Sequence, residues 1–529
     1  MKYKIILSIV LISAWLNSQS SMTGAFGTVT IDGKVWNQIA LRPVTPFWKF
    51  DIVWDLVFYF DHEGNVYDEN WDFSNGVNAK NTLIDKIYYI SYGRKSDPLY
   101  FKIGSLDRVD LGYGILVSGY SNAVQYPSIR YVGLDISVKN KFGSSQGFIN
   151  DFKQNIGIIG GRFRFPKLIP VPVAVSIVLD RNQFLGLKDM DGDGRPDLVD
   201  HFPNNAHYWL DSDGDGLADN HAAEFDRDGD GLPDVYDLDV IHAFWDNLGD
   251  AVGQDFSNDA FYDSLPDQEA TLLPEPLDVK TSSDRIGALA IDFGYPIVAQ
   301  ENMLITIYAQ AAKMLGTTYH PGTGKSMDLG LGLVPFGIKS NFGPASFNLE
   351  YRMIPKGQFE FSYWNRAYDL ERATFVTSSG VTEVVTKEST LGRYGKQKGY
   401  YAHLGIQIGS ILKAGASYQN LLGKIWDDIE ADYVESENKS FLVSLNLTKS
   451  ISRLKYARLY YQQRNVPNPF DFEYTEGTIM GYQVGFEISS GLMLNYTFQR
   501  SFRDLDGDGD VDSPDETINL TTIETSFSL

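Results

Sequence analysis

The chain has 529 residues and no cysteine, which excludes disulfides, thiolate metal sites and a lipoprotein anchor. Positive charge is scarce: 45 Lys and Arg stand against 68 Asp and Glu, giving a net charge of −23. Nucleic acid is therefore not an expected partner, because phosphate contacts need patches of Lys and Arg. After residue 20, no apolar run approaches the roughly 18 residues of a transmembrane helix. Phosphate-loop and dinucleotide-binding motifs are also missing.

The N-terminus has the features of an export signal. Lys2 and Lys4 precede the apolar run Ile5–Leu16, and small residues surround an expected cleavage point near Ser20. The run is too short to span a bilayer but has the length of a signal-peptide core. We predict that residues 1–20 are a cleaved signal peptide and that the mature chain is exported. The alternative is a buried N-terminal helix.

The acidic stretch Lys188–Asp239 holds fifteen Asp and three copies of a D-x-D-x-D-G core. Burying an ionised carboxylate is costly, and a hard cation bound by oxygen, usually calcium, removes that cost. In an EF-hand loop, positions 1, 3, 5, 9 and 12 lie at the oxygen ligands and position 6 is a glycine. By this spacing the predicted ligands are Asp189, Asp191, Asp193, Asp197 and Asp200 in the first loop, Asp211, Asp213, Asp215 and Asp219 in the second, and Asp226, Asp228, Asp230, Asp234 and Asp237 in the third.

The second loop has Ala222 at position 12, so its last ligand would come from elsewhere, for example Glu224. The D-x-D-x-D-G-x-x-D-x-x-D pattern and the spacer HFPNNAHYWLD resemble thrombospondin type-3 calcium repeats in their cysteine-free bacterial form. The resemblance implies calcium as the bound ion. The alternative is an acidic, solvated linker. His201, His207 and His221 lie among the repeats and could bind a transition metal, although we interpret them as spacer residues.

Most of the remaining sequence alternates with period 2, which is typical of strands with two different faces. In Gly491–Arg503 one face is apolar and the other polar. The apolar face carries Leu492, Leu494, Tyr496 and Phe498, and the polar face carries Met493, Asn495, Thr497, Gln499 and Ser501. The same alternation occurs in Tyr400–Ile408 and in Thr478–Ile488. A soluble sandwich and a transmembrane barrel both fit this local pattern.

Four features favour the barrel. The strands are about ten residues long, as a tilted membrane strand requires. Short turns, predicted near Arg42–Phe47, Lys95–Asp97, Gly409–Ser410 and Ser489–Gly491 among others, alternate with long polar loops that include Asp61–Leu83, Asp107–Ser128, Met353–Lys398 and Asn420–Lys439. Aromatic residues form 14 % of the chain and cluster at strand ends, as interfacial girdles do. The C-terminal ETSFSL resembles the last strand of bacterial outer-membrane barrels, although Leu529 replaces the usual aromatic residue.

The predicted fold class is therefore all-β: a transmembrane antiparallel up-and-down barrel of about 18–20 strands in the bacterial outer membrane, in contact with its lipid. Residues 21–182 and 285–529 would supply the strands, and residues 183–284 an extracellular calcium-binding insertion. Leu111–Tyr120 could be a strand or a loop folded into the lumen.

A fourth acidic loop, between Arg503 and Thr517, falls on the same predicted outer side as the insertion. Its predicted calcium ligands are Asp504, Asp506, Asp508, Asp512 and Asp515. The alternative is an acidic hairpin turn.

We expect no enzyme and no catalytic residue. Of the seven histidines only His403 lies in a clear strand, and it lies on the lumen face, whereas an outer-membrane lipase would need its Ser–His pair on the lipid side. The predicted function is a porin-like channel for small solutes with calcium-stabilised outer loops. One alternative is a barrel-anchored adhesion protein whose repeats bind a surface partner, which a lumen filled by Leu111–Tyr120 and Phe359–Trp364 would favour. A weaker alternative is a soluble two-sheet protein.

Overall fold

The computed structural model describes residues 21–31, 34–66, 71, 73, 76–126, 129–153, 156–166, 172–211, 216, 218–221, 275–378, 381–505, 510–512 and 514–528. The predicted signal peptide and the third acidic loop lie outside these residues. The chain divides into two compact units, of which the smaller is Leu187–Ser283. The larger unit contains the residues on either side of it.

The larger unit is built almost entirely of strands. In chain order they are β1 (Ser21–Ile31), β2 (Lys34–Phe47), β3 (Phe50–Trp54), β4 (Leu56–Phe60), β5 (Ile87–Tyr92), β6 (Leu99–Gly104), β7 (Gly133–Asn140), β8 (Gly143–Ile149), β9 (Ile158–Arg164), β10 (Val173–Asp180), β11 (Ile286–Gln300), β12 (Met303–Leu315), β13 (Thr317–Tyr319), β14 (Ser326–Asp328), β15 (Leu331–Phe342), β16 (Ala345–Ile354), β17 (Ala373–Ser378), β18 (Val381–Thr386), β19 (Tyr394–Ile408), β20 (Leu412–Asp427), β21 (Asp432–Leu447), β22 (Leu454–Val466), β23 (Ile479–Ser489), β24 (Leu492–Phe502) and β25 (Thr517–Ser528).

In the described part of the chain, helices are few and short. They are α1 (Gly76–Asp85), α2 (Tyr368–Glu371) and α3 (Lys387–Thr390), with 3-10 turns at Gln183–Gly186, Leu391–Arg393 and Pro514–Glu516. Within the described ranges, none of the helices has the length and apolar character needed to cross a membrane.

The main sheet closes on itself. β1 pairs antiparallel with β25, from Thr23 opposite Ser528 to Val29 opposite Thr522. β3 and β4 are two halves of one strand interrupted at Asp55, because both pair with β2. The result is a closed, antiparallel, up-and-down barrel of 20 strands. This confirms the predicted fold class and rules out two separate packed sheets. β13–β14 and β17–β18 are small hairpins outside the barrel sheet.

Side chains alternate between the two faces of the wall, as the period-2 pattern predicted. On β10, Val175, Ile177 and Leu179 point outward and are 38 % to 54 % exposed. Their neighbours Val178 and Asp180 point inward and are fully buried. The wall is thus apolar outside, while its inner face mixes polar and packed apolar positions.

Two predicted connections are wrong in position. Arg42–Phe47 was expected to be a turn, but it belongs to β2, and the chain reverses at Trp48, where φ is 58°. Two prolines in this segment mimic a turn, yet a proline can occupy a strand where its missing N–H is not needed for pairing. Asn420–Lys439 was expected to be a long loop, but β20 and β21 stay paired until Asp427 lies opposite Asp432.

Candidate functional site

Two segments fold into the barrel lumen and pair with each other. The Ser118 and Trp364 amides donate to the carbonyls of Trp364 and Leu116, at 3.2 and 3.1 Å. The Ser362 amide donates to the Ile115 carbonyl at 2.9 Å. Leu111–Tyr120 is therefore a loop inside the lumen and not a wall strand. We call Leu106–Tyr120 together with Phe359–Arg372 the plug.

The plug packs against one side of the barrel, which we call the packed wall (β8 to β16). Val117, Tyr363 and Trp364 of the plug are fully buried. The inward wall residues in the same apolar cluster are Phe148, Ile158, Val178, Ile286, Ala288, Ala290, Tyr308, Ala312, Met314 and Val334. Burial of these apolar surfaces holds the plug in place.

Glycines of the packed wall make room for aromatic rings of the plug. A Cβ on Gly332 would lie 2.1 Å from the Phe359 ring, and one on Gly294 would lie 1.8 Å from the Tyr113 hydroxyl. Tyr113 also stacks on Tyr308 of β12 with ring centroids 4.1 Å apart. These glycines of the packed wall therefore leave the space that the plug's aromatic rings occupy.

A buried ion pair ties the plug to the packed wall. The Arg372 guanidinium donates to both carboxylate oxygens of Asp180 at 2.7 Å, and the side chains are 1 % and 0 % exposed. The Tyr368 hydroxyl donates to the same carboxylate at 2.8 Å. On another side of the plug, Arg464 of β22 donates to Glu360 at 2.6 Å. These partners lie far apart in the sequence, so sequence reasoning did not find them.

The lumen beside the plug contains a cavity of 430 Å³. Its lining comes mainly from β22–β25 with β1, β2 and β4, which we call the cavity wall. Three arginines, Arg42, Arg366 and Arg458, and two carboxylates, Asp107 and Glu524, line it together with tyrosines and side-chain amides. The packed wall thus meets the plug mainly through apolar side chains, whereas the cavity wall lines an open and polar part of the lumen.

The charges fixed to the cavity wall form a network. Arg42 donates to Asp55 at 3.0 Å and to Glu524 at 2.9 Å. Arg130 donates to the other oxygen of Asp55 at 2.8 Å. Gln38 donates to Glu524 at 3.2 Å. Because each carboxylate meets an arginine, these charges can be buried without an uncompensated ion.

His403 points into the lumen, as its parity predicted. Its Nδ1 lies 2.8 Å from the Ser417 hydroxyl, directly across the β19–β20 register. This contact was missed, although the hairpin register could have revealed it. No carboxylate among the described residues hydrogen-bonds to His403, so the pair lacks the third group that orients a catalytic histidine.

In the smaller unit, the first acidic loop is described in full. The amides of Gly192 and Gly194 donate to the two oxygens of Asp189 at 2.8 and 3.0 Å. The Met190 amide donates to Asp197 at 2.7 Å. Gly194 has φ of 103°, which is costly for a residue with a side chain. These bonds wrap the loop around its acidic side chains.

The carboxylates of Asp189, Asp191 and Asp193 converge. Each offers an oxygen within 4.8 Å of the others. One oxygen each of Asp191, Asp193 and Asp200 is buried and has no hydrogen-bond partner among the described residues. Burial, together with the charges of Asp191 and Asp193, raises the pKa of Asp189 to about 6. Converging carboxylates with free, buried oxygens fit a hard cation such as calcium.

The second acidic loop repeats this geometry where it is described. The Gly216 amide donates to Asp211 at 3.0 Å, as Gly194 does to Asp189. The Asp219 amide donates to the Leu210 carbonyl at 2.8 Å, as Asp197 does to that of Lys188. Asp213 and Asp215, like all of the third loop, lie outside the described residues.

Residues 275–280 form hydrogen bonds and an ion pair with the first loop. Sequence reasoning did not associate this segment with the loop. The Val279 amide donates to the Gly194 carbonyl at 2.8 Å, and the Lys280 ammonium donates to the Gly192 carbonyl at 2.8 Å. Arg195 lies 3.4 Å from Asp278. Residues 275–280 therefore belong to the folded loop.

Two glutamates that the spacing did not single out hold the fourth acidic loop. Glu516 accepts from the amides of Leu505 and Asp512 at 2.9 and 3.1 Å. Glu476 accepts from the Asp504 amide at 3.2 Å, and burial raises the pKa of Glu476 to about 7. The predicted ligands Asp506 and Asp508 lie outside the described residues, as does the side chain of Asp515.

Neither a scan against protein-family models nor a search of curated protein sequences finds a match for this chain. Solved structures do match. They include the FrpB iron transporter from Neisseria meningitidis in its apoprotein form, with 8 % identity over 97 % of this chain and 82 % of that chain, at a TM-score of 0.36. OccAB4 of Acinetobacter baumannii matches with 10 % identity over 96 % of this chain and 97 % of that one, at a TM-score of 0.32. At such values the function must be argued from the barrel itself.

Proposed function

We propose that the chain is an integral outer-membrane β-barrel that passes small solutes through a lumen narrowed by the plug. Support for the membrane location comes from the closed sheet, which leaves no unpaired edge, and from its apolar outer face. Large apolar side chains such as Leu404, Ile406 and Ile408 are 45 % to 55 % exposed on β19. A soluble protein would hide them, whereas lipid covers them.

The observation that carries the channel proposal is the polar cavity of 430 Å³ beside the plug. Its polar lining suits hydrated solutes, and its size suits small ones. The plug packs mainly against the packed wall, it also contacts β22 through Glu360 and Arg366, and the cavity lies beside it. We therefore propose a narrow channel along the cavity wall.

We further propose that calcium stabilises the acidic loops. Asp189, Asp191, Asp193, Asp197 and Asp200 would hold it in the first loop, and the other predicted aspartates in the remaining loops. Calcium supplies positive charge that neutralises carboxylates which otherwise repel. Affinities on the order of 10⁻⁴–10⁻³ M suffice for such an extracellular role.

The channel proposal is tested by single-channel conductance of the refolded protein in a planar bilayer, with millimolar calcium and then with chelator. Discrete current steps are expected. A barrel that shows heat-modifiable migration, and is therefore folded, but conducts no current would contradict the channel. A step size that changes on chelation would link the acidic loops to the conducting path.

The calcium proposal is tested separately by calorimetric titration of calcium. Asp191→Asn should weaken binding to the first loop about tenfold or more, because it removes a charged ligand. Asp97→Asn, in the turn between β5 and β6, is the matched control and should bind as the wild type does. Equal calcium binding by all three proteins would remove the first loop as a site.

The second candidate function is a barrel that only anchors a surface interaction domain. The specific observation in its favour is the plug, since Leu111–Tyr120 and Phe359–Trp364 do fill part of the lumen. In this case the repeats of Leu187–Ser283 would bind a partner outside the cell. A folded but silent barrel would favour this function.

A further inference from the structure

Two arginines of the lumen cavity have no acidic partner. Arg366 lies in the plug and Arg458 on β22, and both line the cavity. Neither forms an ion pair with any described residue, whereas Arg42, Arg162 and Arg372 of the same barrel each do. The Nε of Arg366 is buried and without a hydrogen-bond partner in the described part of the chain. An unpaired guanidinium in a cavity is poised to bind an anion.

The acidic groups of the cavity are already neutralised. Glu524 accepts two hydrogen bonds from Arg42, at 2.9 and 3.0 Å. Asp107 accepts one from Lys102 at 2.8 Å. Each carboxylate of the cavity lining is therefore paired with another cation. The positive charges of Arg366 and Arg458 are not neutralised by these carboxylates. This local excess is opposite in sign to the net charge of −23 for the whole chain.

Tyr460 packs against Arg366, and the groups around it offer contacts for an organic solute. The guanidinium of Arg366 lies 4.3 Å from the centre of the Tyr460 ring. The Tyr460 hydroxyl donates to Gln499 at 2.6 Å, and Gln499 donates to the Val124 carbonyl at 2.7 Å. Arg458 and Tyr460 are two residues apart on β22, so they face the same side. Aromatic faces and side-chain amides thus lie next to the free positive charge.

We propose that this cavity is a binding site for a small organic anion, whose carboxylate or phosphate group is held by Arg366 and Arg458 while its body contacts tyrosine rings and amides. This inference rests on the proposed channel function and names the class of solute that the channel recognises. The acidic outer loops alone would instead favour cations. The proposed lumen site and the acidic loops would therefore bind ions of opposite charge.

The test compares wild type with Arg458→Gln and with Arg366→Gln. Arg458 is exposed to the cavity, so Arg458→Gln should fold normally, which heat-modifiable migration verifies. The matched control is Arg500→Gln on β24, where Arg500 alternates to the outer face and hydrogen-bonds to Asn519 at 2.7 Å. It removes the same charge without touching the cavity.

Benzoate and inorganic phosphate serve as the probes, added to open channels in a planar bilayer. Either anion should reduce the wild-type current in a saturable way. Each cavity variant should raise the half-blocking concentration about tenfold, while Arg500→Gln leaves it unchanged. Block by benzoate alone would identify carboxylates as the solute group, and block by phosphate alone would identify phosphates. Open channels that neither probe blocks, or equal block in all variants, would overturn the anion site and leave the channel standing.

Calorimetric titration of the same anions into the detergent-folded barrel does not depend on conduction. Binding that is lost in Arg458→Gln supports the site even if the barrel proves silent, in which case only the channel fails. No heat of binding to a folded wild-type barrel would overturn the site by this second route.

Discussion

The packed wall and the cavity wall differ in what covers their inward-facing side chains. An inward-facing strand residue has to be covered by protein or wetted by water. On the packed wall, apolar inward residues such as Val178 and Ile286 are fully buried beneath the plug. On the cavity wall, inward residues such as Asn495 and Thr497 line a polar cavity. One barrel thus contains a core-like half and a channel-like half, and the boundary between them is the plug.

The largest effect is expected from a substitution that removes the buried ion pair between the plug and the packed wall. Arg372→Met removes the cation that neutralises buried Asp180. Breaking a buried pair by removing one partner costs about 3–5 kcal/mol, because the remaining charge is left unpaired. We expect this loss in the free energy of unfolding, measured by urea denaturation of the folded barrel. Release of the plug should also enlarge the unitary conductance.

The double variant Arg372→Met, Asp180→Leu provides the control for this prediction. Replacing both charges with apolar side chains removes the unpaired ion, so much of the lost stability should return. A single variant as stable as the wild type, with unchanged conductance, would mean that the pair does not hold the plug.

The sequence predicted the walls far better than it predicted what lies between them. Period-2 alternation determines which side chains of β10 or β24 face inward, since it depends only on neighbours in the chain. The plug depends on contacts across long sequence separations, such as Asp180 with Arg372 and Leu116 with Trp364. No local pattern encodes those pairs. For this reason Leu111–Tyr120 could be identified as unusual but not assigned.

The acidic loops show the same limit. The D-x-D-x-D-G spacing predicted the ligand positions and the glycine at position 6 of each loop. The structure adds that this glycine's amide donates to the first aspartate, Asp189 or Asp211. The spacing could not reveal Lys280 and Asp278, which close the first loop from a distant segment. Nor did it single out Glu516, which follows the expected last position of the fourth loop. Calcium binding at all four loops stays a prediction.

A milder change should loosen the plug without detaching it. Tyr113→Ala removes a ring that stacks on Tyr308 at 4.1 Å and fits over Gly294. Because Tyr113 is only partly buried, we expect a loss of about 1–3 kcal/mol, less than for Arg372→Met. Urea denaturation measures the loss, and current noise should rise as the plug edge moves. Tyr113→Phe keeps the ring and should behave almost as the wild type.

The smallest loss of stability should come from a substitution in the cavity wall. Gln499→Ala removes two hydrogen bonds, one from Tyr460 at 2.6 Å and one to Val124 at 2.7 Å. Since water in the cavity can replace them, the free energy of unfolding should fall by only about 1 kcal/mol. Conductance should nevertheless change, because Gln499 lines the path and helps to place Tyr460 beside Arg366. The reverse result, a large loss of stability with unchanged current, would mean that this wall is part of a core and that the lumen has no channel-like half.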